Sequence, residues 1–264
     1  MTGRDNAQRF DEMSADGTDF GHVAYPVYVF SRKRAIEATT MKLLQRSRLN
    51  HFLVVSNEDY DEYVERYSHS DILIVSEKDS ISKARQFVLD RVREEGYPYV
   101  WMLDDDIQNI LDKDGKPVSF RNIFSTLEKW VEDYSNVAML GANASSGKFV
   151  VNAPVGGLML VNTQTGIDFT PGIELYEDTM FALSHLATGK WVTVAHRFTV
   201  EYANIQSGGA YHIKLDELRN GINAEMVEEA HPEYVFSMKD NIVRWQDFPN
   251  AIKSRNVEAL MKGE

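Results

Sequence analysis

The chain has 264 residues, 43% of them hydrophobic, enough to bury a full core as one large domain or a domain with an appendage. It has no cysteine, which excludes a disulfide framework and a zinc–thiolate site, and its net charge of −12 argues against holding nucleic acid mainly by bulk electrostatics. The first 20 residues are polar and Asp-rich, with no apolar leader, and no apolar run is long enough to span a bilayer. They are expected to form a flexible acidic tail (1–20) on a soluble protein of the host-cell cytoplasm with no membrane partner; the oligomeric state stays open.

Tyr25–Phe30 reads as a strand, Arg34–Arg48 as a helix, His51–Ser56 as a second strand and Asp59–Tyr67 as a short helix. Asp71–Ser76 is the third strand, and Ser80–Glu95 a helix closed by Gly96 and Pro98. Tyr99–Leu103 is the fourth strand. Short apolar strands alternating with helices predict an α/β fold, a mostly parallel sheet flanked by helices, with ligands bound beyond the carboxyl ends of the strands.

The fourth strand drives into Asp104-Asp105-Asp106. Three adjacent carboxylates repel one another, and Asp is a poor strand residue. An acidic turn after a buried strand is the plain explanation. The chemical one is a cation site: Asp104 and Asp106, two residues apart, fall on one side of an extended backbone and offer hard oxygen ligands to Mg2+ or Mn2+. The segment from Pro26 to Asn50 is basic, with Arg32, Lys33, Arg34, Lys42, Arg46 and Arg48 against the single Glu37. Local phosphate contacts or a solvated helix face both fit Lys42, Arg46 and Arg48; a strand-end position makes the anion reading stronger for Arg32-Lys33-Arg34.

Phe120, Ile123, Phe124, Leu127, Val131 and Tyr134 recur at helical spacing and read as core. Val137–Gly141 and Val155–Val161 follow as strands, Glu177–Thr188 as a helix closed by Gly189, and Trp191–Tyr202 as a long strand. Residues 207–212 read as a mobile loop and Leu215–Ala230 as a helix. Gly156-Gly157 allows either a bulge or close approach of backbone to a ligand. Glu177 and Asp178 open a helix, where capping and catalysis both fit.

The order of these features resembles the GT-A fold of nucleotide-sugar glycosyltransferases, and in particular the TET-associated glycosyltransferase group of phages and some eukaryotes. The resemblance is carried by Ser31-Arg32, Ile81-Ser82-Lys83-Ala84-Arg85, Trp101-Met102-Leu103-Asp104-Asp105-Asp106-Ile107, Gly156-Gly157-Leu158-Met159, Tyr176-Glu177-Asp178-Thr179, Gly208-Gly209 and His231-Pro232. It spans roughly residues 25–250, with the aspartate run its most specific piece. Ser80 and Gln86 depart from the group's Gly-rich, Asn-containing helix opening. The resemblance implies a single GT-A catalytic domain over residues 21–264, with a donor half at about 21–112 and an acceptor half at about 113–250.

It further implies a metal-dependent, inverting transfer of glucose or a pentose from a UDP-sugar to a hydroxylated pyrimidine, such as 5-hydroxymethylcytosine, in phage DNA. Asp178 becomes the general base, with Glu177 as fallback. Ser31, Arg32, Arg85, Asp104, Asp105, Gly156 and Gly157 border the donor. Asp104, Asp106 and His212 hold Mn2+ or Mg2+, with His196 a second choice for the histidine. For Arg85 an exposed helix position, and for either histidine a purely structural place, are the plain alternatives. Rival functions are a GT-A enzyme with a protein, lipid or glycan acceptor, a nucleotidyltransferase, and a non-catalytic binding module of the same fold. The nucleotidyltransferase would favour a Gly-rich loop after the first strand, and Val29-Phe30-Ser31-Arg32-Lys33 has no glycine.

Overall fold

The computed structural model describes residues 23–67, 71–75, 80–143, 150–153, 155–205, 217–232, 235–237 and 244–245. In chain order these form β1 (Val27–Phe30), α1 (Thr39–Arg46), β2 (Phe52–Ser56), α2 (Tyr60–Arg66), β3 (Asp71–Val75), α3 (Ile81–Glu95), β4 (Tyr99–Asp104) and β5 (Ile107–Leu111). They continue with α4 (Phe120–Glu132), β6 (Val137–Asn143), β7 (Val150–Val151), β8 (Leu158–Asn162), a 3-10 turn (Thr163–Thr165), α5 (Glu177–Ala187), β9 (Val192–Tyr202), α6 (Glu217–Ala230), β10 (Val235–Ser237) and β11 (Arg244–Trp245).

Nine strands form one sheet in the order β3-β2-β1-β4-β8-β6-β9-β5, with β7 paired to β9; β10 and β11 form a separate pair. The first four neighbours, β3-β2-β1-β4, are all parallel. Across the centre β8 runs antiparallel to both β4 and β6, β9 returns parallel to β6, and β5 runs antiparallel to β9. The expected α/β class and flanking helices are therefore present, with the parallel half at the amino-terminal end of the chain.

Alternation along each strand builds a core on both faces. Val27, Val29, Leu53, Trp101 and Leu103 enter one cluster with Met41 and Leu44 of α1, Tyr63 of α2 and Phe120, Phe124 and Leu127 of α4. Tyr28, Phe30, Val54, Val100 and Met102 enter the other with Val88, Leu89 and Val92 of α3 and Phe181 and Ala182 of α5. Runs that looked uniformly apolar are thus two interleaved faces of one sheet. Helix α3 begins where Ser80 accepts a hydrogen bond from the Lys83 amide, and ends at left-handed Gly96 (φ 81°), whose amide donates to the Arg93 carbonyl.

Besides short β7, to which the sequence assigned no element, and β8, which starts three residues later than expected, two segments beside the aspartate turn depart from the sequence expectation. The helix predicted from Arg34 starts only at Thr39, because residues 31–34 are pinned: the Ser31 amide donates to Val54, the Lys33 amide to the Asp59 carboxylate at 3.0 Å and the Arg34 amide to the Tyr63 hydroxyl at 3.0 Å. Strand β5, to which the sequence assigned no element, pairs along β9 from Ile107↔Tyr202 to Leu111↔Thr199. Its alternation is broken by two exposed residues, so its strand character comes from its partner. The acidic tail expected over residues 1–20 and the loop expected over 207–212 lie outside the described residues.

The fold sets the aspartate turn by side-chain hydrogen bonds. Thr40, fully buried, donates its hydroxyl to the Asp104 carbonyl at 2.6 Å and accepts the Ile107 amide at 2.9 Å, while its own amide donates to the Asp105 carbonyl at 3.1 Å. Thr40→Val keeps the shape and leaves the Asp104 carbonyl and Ile107 amide without this partner. It is expected to lower unfolding stability by about 1–3 kcal/mol, measured by urea titration.

Candidate active site

The carboxyl ends of β1 and β4, the last residue of β9 and the first residues of β8 meet at one edge of the sheet. There Phe30 pairs with Asp104, Leu103 with Leu158, and Ile107 with Tyr202. The three aspartates separate at this edge. Asp105 turns inward and is 4% exposed; it accepts the Ser31 hydroxyl at 2.5 Å and Arg34 Nη1 at 3.0 Å. Because the Ser31 proton goes to Asp105, the Tyr63 hydroxyl, 2.6 Å away, donates to Ser31. Burial pushes the Asp105 carboxyl up, while Ser31 and Arg34 pull it back. Ser31 and Asp105, expected beside the donor, are thus bonded to each other inside the fold. Arg32 is partly exposed.

Asp104 and Asp106 keep more solvent contact, with side chains 37% and 24% exposed. Each has an arginine: Asp104 Oδ1 meets Arg85 Nη2 at 2.8 Å, and Asp106 Oδ2 meets Arg34 Nη1 at 3.3 Å. Arg34, which the sequence reading grouped with a basic cluster, therefore spans the second and third aspartates. A basic residue four positions after a strand end was the only signal available for it.

Arg85 is not the exposed helix residue that spacing allowed. It is 1% exposed, and its other terminal nitrogen, Nη1, pairs with Glu177 Oε1 at 2.9 Å. Burial disfavours its charge, but Glu177, Asp104 and Asp178 together hold the guanidinium protonated. Three carboxylates surround one guanidinium, an excess of negative charge suited to a divalent cation. Asp104 and Asp106 are oxygen donors of the kind Mg2+ and Mn2+ use alongside water and substrate phosphates. Among the described residues no group of three or more His, Cys, Asp or Glu side chains could hold a metal ion. His212, the expected third ligand, lies outside the described residues, as does Gly208-Gly209. His196 packs against the rings of Trp130 and Phe198, and burial lowers its pKa to about 4. His231 sits at the back of α5, with Nε2 3.3 Å from the Ser184 hydroxyl.

Glu177 and Asp178 open α5 after Tyr176, whose left-handed backbone (φ 64°) is uncommon for a residue with a side chain. Tyr176, at the helix N-cap, makes no side-chain cap bond of its own. Glu177 is the more buried and is tied to Arg85. Asp178 is partly buried: Oδ1 accepts the Thr179 amide at 2.6 Å, and Oδ2 occupies the space a Cβ on Gly156 would fill. Only glycine at 156 leaves that room.

Gly157 follows in the left-handed region (φ 68°), and a Cβ there would strike the Tyr202 ring. The Tyr202 hydroxyl donates to the Gly156 carbonyl at 3.1 Å. Burial and the carboxylates of Asp104, Asp106 and Asp178 push its phenol far up, so it keeps its proton. Tyr202 was read only as the end of a strand. Its nearness to all three carboxylates follows from strand order, which spacing along the chain does not reveal.

Residues 25–210 match the family described as TET-Associated Glycosyltransferase; the chain belongs to that family and is a glycosyltransferase. Among solved structures it is similar to one described as a nucleotide-diphospho-sugar transferase from Desulfovibrio desulfuricans G20, at 9% identity and TM-score 0.40, covering 65% of this chain and 79% of that one. It is also similar to the glycosyltransferase GlyE of Streptococcus pneumoniae TIGR4, at 18% identity and TM-score 0.33, covering 79% of this chain and 50% of that one. No curated protein matches it. No helix among the described residues is long and apolar enough to cross a membrane.

Burial, with Asp178 and Asp104 nearby, pushes the Glu177 carboxyl from its ordinary 4.5 up to about 7, against the pull of Arg85. As pH rises the unfolded chain releases this proton first, so the folded state loses relative stability between pH 4.5 and about 7. Glu177→Gln removes the titration. Urea unfolding in EDTA is expected to show the wild type falling relative to the variant by at most about 1.4 kcal/mol per pH unit in that window, with no further divergence above it.

Proposed function

We propose that this chain transfers a glucosyl or pentosyl group from a UDP-sugar to a hydroxylated pyrimidine, such as 5-hydroxymethylcytosine, in phage DNA, with inversion at the anomeric carbon. The observation that carries the chemistry is the division of labour between Glu177 and Asp178. Glu177 is held by Arg85 at 2.9 Å, whereas Asp178 Oδ2 lies against Gly156 at the edge where Asp104 and Asp106 stand. Asp178 is therefore the base that takes the proton of the acceptor hydroxyl as its oxygen attacks the anomeric carbon and the bond to the diphosphate breaks. One base acting on the attacking side gives inversion.

Asp104 and Asp106 would hold a Mn2+ or Mg2+ ion, which when bound neutralises the charge that develops on the departing diphosphate. Arg85 fixes Asp104 and Glu177 from below and has both terminal nitrogens engaged. Direct contact with donor phosphate falls to partly exposed Arg32. Gly156-Gly157 offers backbone without side chains beside the sugar.

For the acceptor, the family's association with TET enzymes is joined by a basic surface. Lys42, Arg46 and Arg48 are exposed on and just after α1, whose second residue, Thr40, is bonded to the aspartate turn. Exposed Arg121, from the start of α4, donates to the Ser47 carbonyl at 3.2 Å and so adds a fourth cation from a distant part of the chain. On an otherwise acidic protein this row gives a phosphate backbone a local place to rest.

The test is release of UDP from UDP-glucose with Mn2+ and hydroxymethylated duplex DNA. Activity is expected to vanish in EDTA, and Asp178→Asn is expected to lose about 10²–10⁴-fold in kcat while binding UDP as the wild type does. If that variant keeps its turnover per folded molecule, Asp178 is not the base. For the surface, Lys42→Glu with Arg46→Glu is expected to raise KM for DNA and flatten its salt dependence while leaving UDP-glucose hydrolysis unchanged. An unmoved KM would place the DNA path elsewhere on the protein, and an absence of transfer to DNA would move the assignment to another acceptor.

A further inference from the structure

The Gly156-Gly157 segment touches both ends of the reaction that the proposed function describes. The Asp104 amide donates to the Gly157 carbonyl at 2.8 Å, and Asp178 packs against the Gly156 α-carbon. The segment folds into a tight turn in which the Leu158 amide donates back to the Gly156 carbonyl at 2.8 Å, with Gly157 in the left-handed region. Such a turn has little stiffness of its own, since glycine restricts neither φ nor ψ. Its second constraint comes from outside: the Tyr202 hydroxyl reaches the same Gly156 carbonyl at 3.1 Å, and the Tyr202 ring fills the space beside Gly157. Tyr202 is itself fixed, pairing with Ile107, while the next residue, Ala203, donates its amide to the Asp106 carbonyl at 2.7 Å.

We infer that Tyr202 is a positioning residue for glycosyl transfer: its hydroxyl and ring lock the Gly156-Gly157 turn, and the turn sets the distance between the donor-side Asp104 and the base Asp178. The part concerning turnover rests on the reading of Asp178 as base; the lock itself does not. A ring on the last residue of β9 thereby couples the strand edge that carries Asp104 and Asp106 to the helix that carries Asp178. Gly156 acts from the other side of the same contact, since any side chain there would push the carboxylate out.

The experiment uses Tyr202→Phe, which removes the hydroxyl and keeps the ring, and Gly156→Ala, which keeps the hydroxyl and displaces Asp178. Amide exchange of the segments containing Asp104 and Leu158 is followed by mass spectrometry without substrate. UDP affinity in Mn2+ is measured by calorimetry, and kcat and KM with UDP-glucose and hydroxymethylated duplex DNA. In Tyr202→Phe both segments are expected to exchange faster, UDP affinity to stay within about two-fold, and kcat to fall by about 10- to 100-fold, the scale of a small misplacement of a reacting group. Gly156→Ala is expected to show the same kcat loss with unchanged UDP affinity.

Unchanged exchange in Tyr202→Phe overturns the lock. A loss of UDP affinity with kcat intact overturns it in favour of a donor contact. Should Tyr202→Phe fail to fold, Gly156→Ala decides: wild-type kcat in that variant overturns the inference. A wild type that transfers nothing to DNA while exchange responds as expected removes the acceptor reading and leaves the lock standing.

Discussion

A guanidinium with no solvent around it is costly unless each face is matched, and Arg85 imposes that condition on the whole site. Its desolvation is offset by Asp104 at 2.8 Å and Glu177 at 2.9 Å, which come from β4 and α5, while Arg85 comes from α3. Loss of either carboxylate leaves buried charge uncompensated, and loss of the arginine leaves carboxylates repelling one another. The interaction therefore requires a helix on one sheet face, a strand end and a second helix start to be built to within hydrogen-bond tolerance. It also puts negative charge at the carboxyl edge without letting it scatter.

The same economy appears in how neighbouring acids receive different tasks. Among Asp104, Asp105 and Asp106, the middle residue is spent inside the fold on Ser31 and Arg34, which leaves the outer two facing the edge. Between Glu177 and Asp178, the first is committed to Arg85 and the second to Gly156. In each group the backbone alternation of strand or helix start separates the carboxylates, and a specific cation or a missing side chain then fixes the role of each. Like charges can crowd together here because they do not share one environment.

Much of the fold was legible because the strands of its first half are short apolar runs between amphipathic helices, a pattern with few alternatives. The predicted strands Tyr25–Phe30, His51–Ser56, Asp71–Ser76 and Tyr99–Leu103 became β1 to β4 within two residues at either end, and the helix from Ser80 became α3 with Ser80 as its cap. Strand β5 was illegible because Ile107–Leu111 has no clean alternation and exists by pairing with β9. The late start of α1 was illegible because the bonds that hold residues 31–34 come from Asp59 and Tyr63, more than 25 residues on. At the site, the aspartate run, the glycine pair and the acidic helix start all announced themselves by composition. Thr40, Tyr63 and Tyr202 did not, since a threonine or a tyrosine is ordinary anywhere, and Arg34 was marked only as one of a basic cluster.

The sequence by itself determined the class of the fold, the strand end that carries Asp104 and Asp106, and the family, because hydrophobic periodicity and a rare carboxylate run are properties of adjacent residues. Only the tertiary structure decided which of those carboxylates face outward, that Arg85 is a buried strut, that Asp178 and not Glu177 rests against Gly156, and that Tyr202 closes over the glycines. Each of these depends on strand order and on contacts spanning roughly 20 to 90 residues. Pairing energies of this kind are fixed by distance in space, which the spacing of letters along a chain does not encode.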